Sequence, residues 1–87
     1  MEATFSPSFI RTYKKLPLSL KNEIKEKISL FCNEENHKML KVHKLSGKLK
    51  EQYSFNVNYK TRIVFYYSRK KPKEAFFVAI GDHDIYD

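Results

Sequence analysis

The apolar residues of this chain change their spacing once, near residue 50, and the change divides it into a helical half and a β half. Phe9, Ile10, Tyr13 and Leu16 recur at helical intervals and predict a short amphipathic helix over residues 7–16. Ser6 and Pro7 stand where its start should be. A serine hydroxyl accepts one of the orphan N–H groups of a first turn, and a proline lacks the donor that would go unmet there. Pro17 interrupts this pattern. Leu20, Ile24, Ile28 and Phe31 then line one face of a second helix over 18–34, with Lys21, Glu23, Lys25, Glu26 and Lys27 on the rest. Glu23 and Lys27 are spaced to pair at i, i+4, which is worth about a few tenths of a kcal/mol. Two helices joined at Pro17 make an αα-hairpin. Ahead of them, Thr4 and Phe5 form a short first strand.

From Tyr53 the period is two. Tyr53, Phe55, Val57 and Tyr59 alternate with Ser54, Asn56 and Asn58, as in a strand with one buried face. Asn58-Tyr59-Lys60 reads as a turn. Residues 62–68 are apolar on both faces after Arg62, which suits a central strand. Residues 69–73 form a basic loop containing Pro72. Residues 75–80 make a second strand of the doubly buried kind, ending at Gly81 and followed by the polar tail 82–87. Residues 35–50 show neither period and read as an irregular basic connector with a turn at Ser46-Gly47. The expected fold is α+β, in the order β-α-α-β-β-β, with the helical hairpin packed on one face of a small, mainly antiparallel sheet. Eighty-seven residues without repeats or a Gly/Ser linker make one domain over residues 1–87.

The charge is not spread evenly. The chain carries +7, but residues 38–73 hold eleven Lys and Arg against Glu51 alone, while residues 74–87 hold four acids and no Lys or Arg. A block of this kind attracts polyanions, since each neutralised phosphate releases a counterion. The alternative is a solvated face that only aids solubility. Cys32 is the single cysteine, so neither an internal disulfide nor a cysteine-based zinc site is expected, and a reducing cytoplasm suits the chain. No apolar run is long enough for a membrane span, and the first residues lack the features of a signal peptide. GxxxxGK[ST], GxGxxG and HExxH are absent, which argues against nucleotide-dependent and zinc enzymes.

Three residues carry the candidate chemistry. His83 lies just past a buried strand, and histidine has an unperturbed pKa of about 6.5 that lets it exchange protons near neutrality. A surface histidine in a polar tail is the plainer reading. An Asp82-His83-Asp84 metal site is weaker, because neighbours on an extended chain point in opposite directions. Arg62 opens an apolar strand, where an unpaired buried arginine would be costly; it is either a strand-end residue in solvent or part of a functional surface. Beside His83 it would supply charge where a phosphate develops it while a proton moves. Tyr86, in the tail, is the tyrosine best placed to stack on a base. Lys48 and Lys50 flank Leu49 and share a side, either as edge guards or as backbone contacts. His43 and Lys44 lie in the basic connector, and Arg69 in the basic loop.

The element order, the segment His43-Lys44-Leu45-Ser46-Gly47, the strand start Thr61-Arg62-Ile63-Val64-Phe65 and the ending Ala79-Ile80-Gly81-Asp82-His83-Asp84-Ile85-Tyr86 together resemble the RelE/ParE toxin superfamily over nearly the whole chain. These are the toxins of bacterial and archaeal type II toxin–antitoxin pairs. The resemblance implies an endoribonuclease, an mRNA interferase of the RelE/YoeB/YafQ kind that works in many members in the ribosomal A site. It implies a reaction without a metal or other cofactor, in which the RNA 2′-hydroxyl attacks the adjacent phosphate and leaves a 2′,3′-cyclic phosphate. By matching position, Arg62 resembles the arginine that stabilises the phosphate, His83 the C-terminal general acid or base, and Tyr86 the C-terminal tyrosine that orients RNA or assists catalysis. Lys48 and Lys50 resemble backbone-binding residues, and His43 matches a histidine of the YafQ-like branch. Val57 stands where that branch has a second histidine, Thr61 where it has an acid, and Asp82 where many members have Ser or Thr. The implied partners are mRNA, on the ribosome, and a cognate antitoxin, acidic where it covers the basic segment. ParE-like members bind DNA gyrase instead, and a non-catalytic RNA-binding module is a third reading; Arg62, His83 and Tyr86 together favour the nuclease.

Overall fold

The computed structural model describes residues 1–45, 51–68 and 73–82. Strand β1 (Glu2–Phe5) leads into helix α1 (Pro7–Lys14) and helix α2 (Leu18–Phe31). A 3-10 turn (Glu34–Asn36) is followed by the short strand β2 (His43–Lys44) and by β3 (Tyr53–Asn56), β4 (Thr61–Ser68) and β5 (Glu74–Asp82). The five strands form one sheet in the order β1-β5-β4-β3-β2. Only β1 runs parallel to its neighbour, β5; the other pairs are antiparallel. The α+β architecture with a helical hairpin on one face is the one the residue pattern predicts.

The local causes are visible. The Ser6 hydroxyl accepts the Phe9 N–H at 3.0 Å and Pro7 occupies the first turn, so α1 starts as its sequence requires. The Ser6 N–H donates to the Phe77 carbonyl at 2.9 Å, which ties that cap to β5. Lys15 closes α1, and the Pro17 carbonyl accepts the Lys21 N–H at 3.0 Å to open α2.

Three boundaries differ from the sequence expectation. Helix α2 stops at Phe31 rather than continuing to residue 34, because the Asn33 side chain accepts the Glu35 N–H at 3.0 Å and starts a separate 3-10 turn. Strand β3 stops at Asn56 rather than Tyr59, because the Asn58 side-chain oxygen takes the N–H groups of Lys60 and Thr61. Val57 still reaches the core, whereas Tyr59 is 90% exposed. The connector is not wholly irregular: His43 and Lys44 pair with Ser54 and Tyr53. Leu40 before them is buried, and its carbonyl accepts the Asn56 N–H at 2.9 Å.

The sheet has two unlike faces. Phe55, Ile63, Phe65, Ala75 and Phe77 face the hairpin and join Phe9, Ile24 and Phe31 in one buried cluster. Phe31 lies at its centre, with ring centroids 4.8 Å from Phe55, 4.9 Å from Phe65 and 5.4 Å from Phe77. Burying one such ring stabilises the fold by about 2–3 kcal/mol. Side chains alternate along a strand, so the other face carries His43, Ser54, Asn56, Arg62, Val64, Tyr66 and Phe76. The β4–β5 register slips at Val64/Phe65. Past that bulge the alternation resumes, and Tyr66 meets Phe76 edge-on at 5.2 Å.

Candidate functional site

Arg62 is the second residue of β4, on the sheet face away from the helices. Its register partners are Asn56 on β3 and Gly81 on β5. The residue is half-buried, and its Nη1 donates to the Asn58 carbonyl at 2.7 Å and to the Thr61 carbonyl at 3.3 Å. Both partners are neutral dipoles. Among the described residues no carboxylate pairs with Arg62, and the two carbonyls hold its charge in place without neutralising it. Its register partner Gly81 presents no side chain next to it.

The residue that holds Arg62 is itself held. Asn58 uses its side-chain oxygen for the Lys60 N–H (2.9 Å) and the Thr61 N–H (2.7 Å), and its side-chain nitrogen donates to Glu23 Oε1 at 2.7 Å. Glu23 lies on α2. The pairing of Glu23 with Lys27 expected from their spacing is not formed: the Glu23 carboxylate takes the Asn58 amide instead, and Lys27 Nζ lies 4.0 Å from Glu26. A short amide–carboxylate hydrogen bond outweighs an exposed helix pair, which contributes little in water.

His43 shares the face of Arg62. It sits opposite Ser54, and Ser54 opposite Val64, two residues along β4 from Arg62. Strand spacing and rise put the two Cα atoms on the order of 12 Å apart. That spacing is suitable for two points along one extended strand of nucleic acid. The His43 Nδ1 lies 2.8 Å from the Lys41 carbonyl, which fixes the ring's orientation at the sheet edge. Lys44, one residue on, pairs with Tyr53 and falls on the opposite side of the sheet, so the structure separates these two sequence candidates. Lys48, Lys50, Arg69, His83 and Tyr86 lie outside the described residues. Strand β5 runs to Asp82, the residue before His83, and Asp82 pairs with Thr61 beside Arg62.

Sequence reasoning singled out Arg62 and His43 but not Asn58 or Glu23 as parts of the site. An asparagine in a turn carries a weak signal of its own, since its side chain readily bonds the backbone two residues on. The partner on α2, 35 residues away, left no signal in the sequence.

Elsewhere the described residues line further concavities, two of which lie against the sheet and the helical hairpin. A polar one of about 540 Å³ lies near the far end of β4, lined by Glu34, His37, Tyr53, Tyr67 and Lys73. There burial pushes the Tyr67 phenol above its ordinary pKa, with smaller contributions from Tyr53 and Glu34. An apolar groove of about 320 Å³ lies between the helices and β1, lined by Phe5, Phe9, Ile10, Tyr13 and Ile28, with Lys25 beside it. Among the described residues no group of three or more His, Cys, Asp or Glu is arranged to hold a metal ion, and no helix is long and apolar enough to cross a membrane.

No protein-family model matches the sequence, and no curated protein is detectably similar to it. Solved structures do match. YafQ from E. coli strain BL21(DE3) is 19% identical, with a TM-score of 0.72 over 97% of this chain and 94% of that one. The YoeB–YefM complex from Staphylococcus aureus gives 21% identity and a TM-score of 0.72, covering 95% of this chain and 97% of the other. The RelBE2 toxin–antitoxin complex from Mycobacterium tuberculosis gives 12% and 0.70, over 94% and 96%. Identities this low speak for architecture, and the coverage is nearly complete on both sides: the chain has the fold of these YafQ, YoeB and RelE structures.

Proposed function

We propose that the chain is the toxin of a type II toxin–antitoxin pair in the RelE/ParE superfamily, and that it is a metal-independent endoribonuclease cutting mRNA on the ribosome. The observation that carries this reading is Arg62. It is anchored by backbone carbonyls, left without a carboxylate partner among the described residues, and set beside a glycine on the strand that leads into His83. An arginine so held is suited to a phosphate whose charge grows during reaction.

In the proposed reaction the RNA 2′-oxygen attacks the adjacent phosphorus. A base takes the 2′-hydroxyl proton, the bond from phosphorus to the 5′-oxygen breaks, and an acid protonates that leaving oxygen. The products are a 2′,3′-cyclic phosphate and a free 5′-hydroxyl. Arg62 stabilises the charge on the equatorial phosphate oxygens, His83 performs one of the two proton transfers, and Tyr86 orients the RNA. His43, Lys48, Lys50 and Arg69 hold the backbone on either side of the cut. Lys44, on the other side of the sheet, meets RNA only around the edge. The basic segment has a second ligand in the acidic antitoxin, which competes with RNA for the same charge. The protein acts in the cytoplasm, where mRNA is translated.

Expression of the chain alone in bacteria tests the reading. Growth and translation stop and mRNA is cut with the wild-type chain, while the Arg62→Ala, His83→Ala variant is harmless. DNA damage with intact mRNA would replace this reading with gyrase poisoning, and salt-dependent RNA binding without cleavage would replace it with a binding module.

A further inference from the structure

The turn between β3 and β4 does more than reverse the chain. Its geometry ends in the carbonyl that grips Arg62, and that carbonyl belongs to Asn58. The two N–H groups bound by the Asn58 side chain, those of Lys60 and Thr61, close the turn and thereby fix which way the Asn58 carbonyl faces. The remaining side-chain atom, Nδ2, reaches Glu23 on α2 at 2.7 Å. The hairpin is therefore linked to the guanidinium by two short hydrogen bonds in series, Glu23 to Asn58 and Asn58 to Arg62, through a residue whose polar side-chain atoms are both engaged.

We propose that Glu23 and Asn58 are positioning residues for Arg62: they hold its guanidinium where a reacting phosphate would need it. This inference rests on the ribonuclease reading of Arg62 given above. The chemistry explains why the middle residue is an asparagine. An aspartate would still accept the two turn N–H groups, but it would set its carboxylate against that of Glu23. An alanine would lose the turn and the link together. A glutamine at 23 would keep an oxygen for the Asn58 amide. Glu23 also lacks the helix partner its spacing offers, Lys27, so its carboxylate is committed to the turn. A misplacement of a charge-stabilising group by about 1 Å lowers a rate by as much as about a hundredfold, so a link of this kind acts on the chemical step.

The test uses the full chain, an mRNA on programmed ribosomes, and single-turnover cleavage measured beside ribosome affinity and thermal unfolding. Glu23→Ala and Asn58→Asp are expected to slow cleavage about tenfold while affinity stays within about twofold. Glu23→Gln stays close to wild type. The double variant Asn58→Asp, Glu23→Gln recovers most of the rate, because the glutamine amide now donates to the aspartate. Added to Arg62→Ala, Glu23→Ala has no further effect. A plain structural tie predicts the opposite: lower melting temperatures in Glu23→Ala and Asn58→Asp with cleavage unchanged, and that result overturns the proposal while Arg62→Ala remains inactive. Should Glu23→Ala or Asn58→Asp alone fail to fold, the double variant decides, since a folded but slow double variant also overturns it. If Arg62→Ala itself cleaves at the wild-type rate, it is the ribonuclease reading of Arg62 that fails instead.

Discussion

Arg62 and Gly81 face each other across the β4–β5 ladder, on the side of the sheet away from the helices. Residue 81 presents no side chain next to Arg62. Gly81→Val puts two methyl groups there. Cleavage of mRNA should fall by about tenfold or more, on the scale of a displaced catalytic group, while the unfolding free energy stays within about 0.5 kcal/mol of wild type, since valine suits a strand. Rate and denaturant midpoint measured on one preparation check this. An unfolded variant or an unchanged rate would each speak against the position beside Arg62 being used.

The hairpin-side core depends on Phe31, which touches three other phenylalanine rings and stacks on His37 at 4.5 Å. Phe31→Ala should cost about 3–5 kcal/mol, enough to unfold much of a small domain at room temperature. Phe31→Leu, which keeps most of the volume, should lose far less. Urea unfolding followed by circular dichroism gives both values.

Alkaline stability should depend on Tyr67. Burial raises its pKa above the ordinary 10.0, so the unfolded chain gives up this proton first as pH rises. The contribution is present in full below pH 10 and is lost as pH climbs through the folded-state pKa. Tyr67→Phe should flatten the loss of stability above about pH 10 and change little at pH 8. Denaturant midpoints at several pH values distinguish the two behaviours.

RNA affinity should fall steeply with salt. Each phosphate contact removed lowers the slope of log affinity against log salt by about one. Lys48→Ala with Lys50→Ala should therefore reduce the slope by about two and leave the cleavage site unchanged. His43→Ala should weaken binding more than Lys44→Ala, because only His43 shares the face of Arg62. Equal effects would contradict the register as the basis for RNA contact.

The legible parts of this structure were those governed by short-range periodicity. Phe9, Ile10 and Tyr13 after Ser6-Pro7 announce α1, and the alternation from Tyr53 announces β3. Features decided by partners distant in the chain were hidden. Two residues, His43 and Lys44, are too few to show a period, and they form β2 only because β3 offers a free edge. Leu40 belongs to the core although nothing near it repeats. Glu23 shows its i, i+4 lysine in the sequence and not the asparagine that outcompetes it. The site followed the same division. Arg62 stood out as a charge in an apolar strand, whereas Asn58 gained its role from a carbonyl direction that only the folded turn defines.

The central claim is that Arg62 serves RNA cleavage by 2′-hydroxyl attack, and the ends of the cut strand test it most directly. Purified protein should cut an mRNA on programmed ribosomes in the presence of EDTA, leaving a 2′,3′-cyclic phosphate and a 5′-hydroxyl, and Arg62→Ala should slow that cut by about a hundredfold or more. A 5′-phosphate product, or an Arg62→Ala variant that cuts at the wild-type rate, would contradict the account.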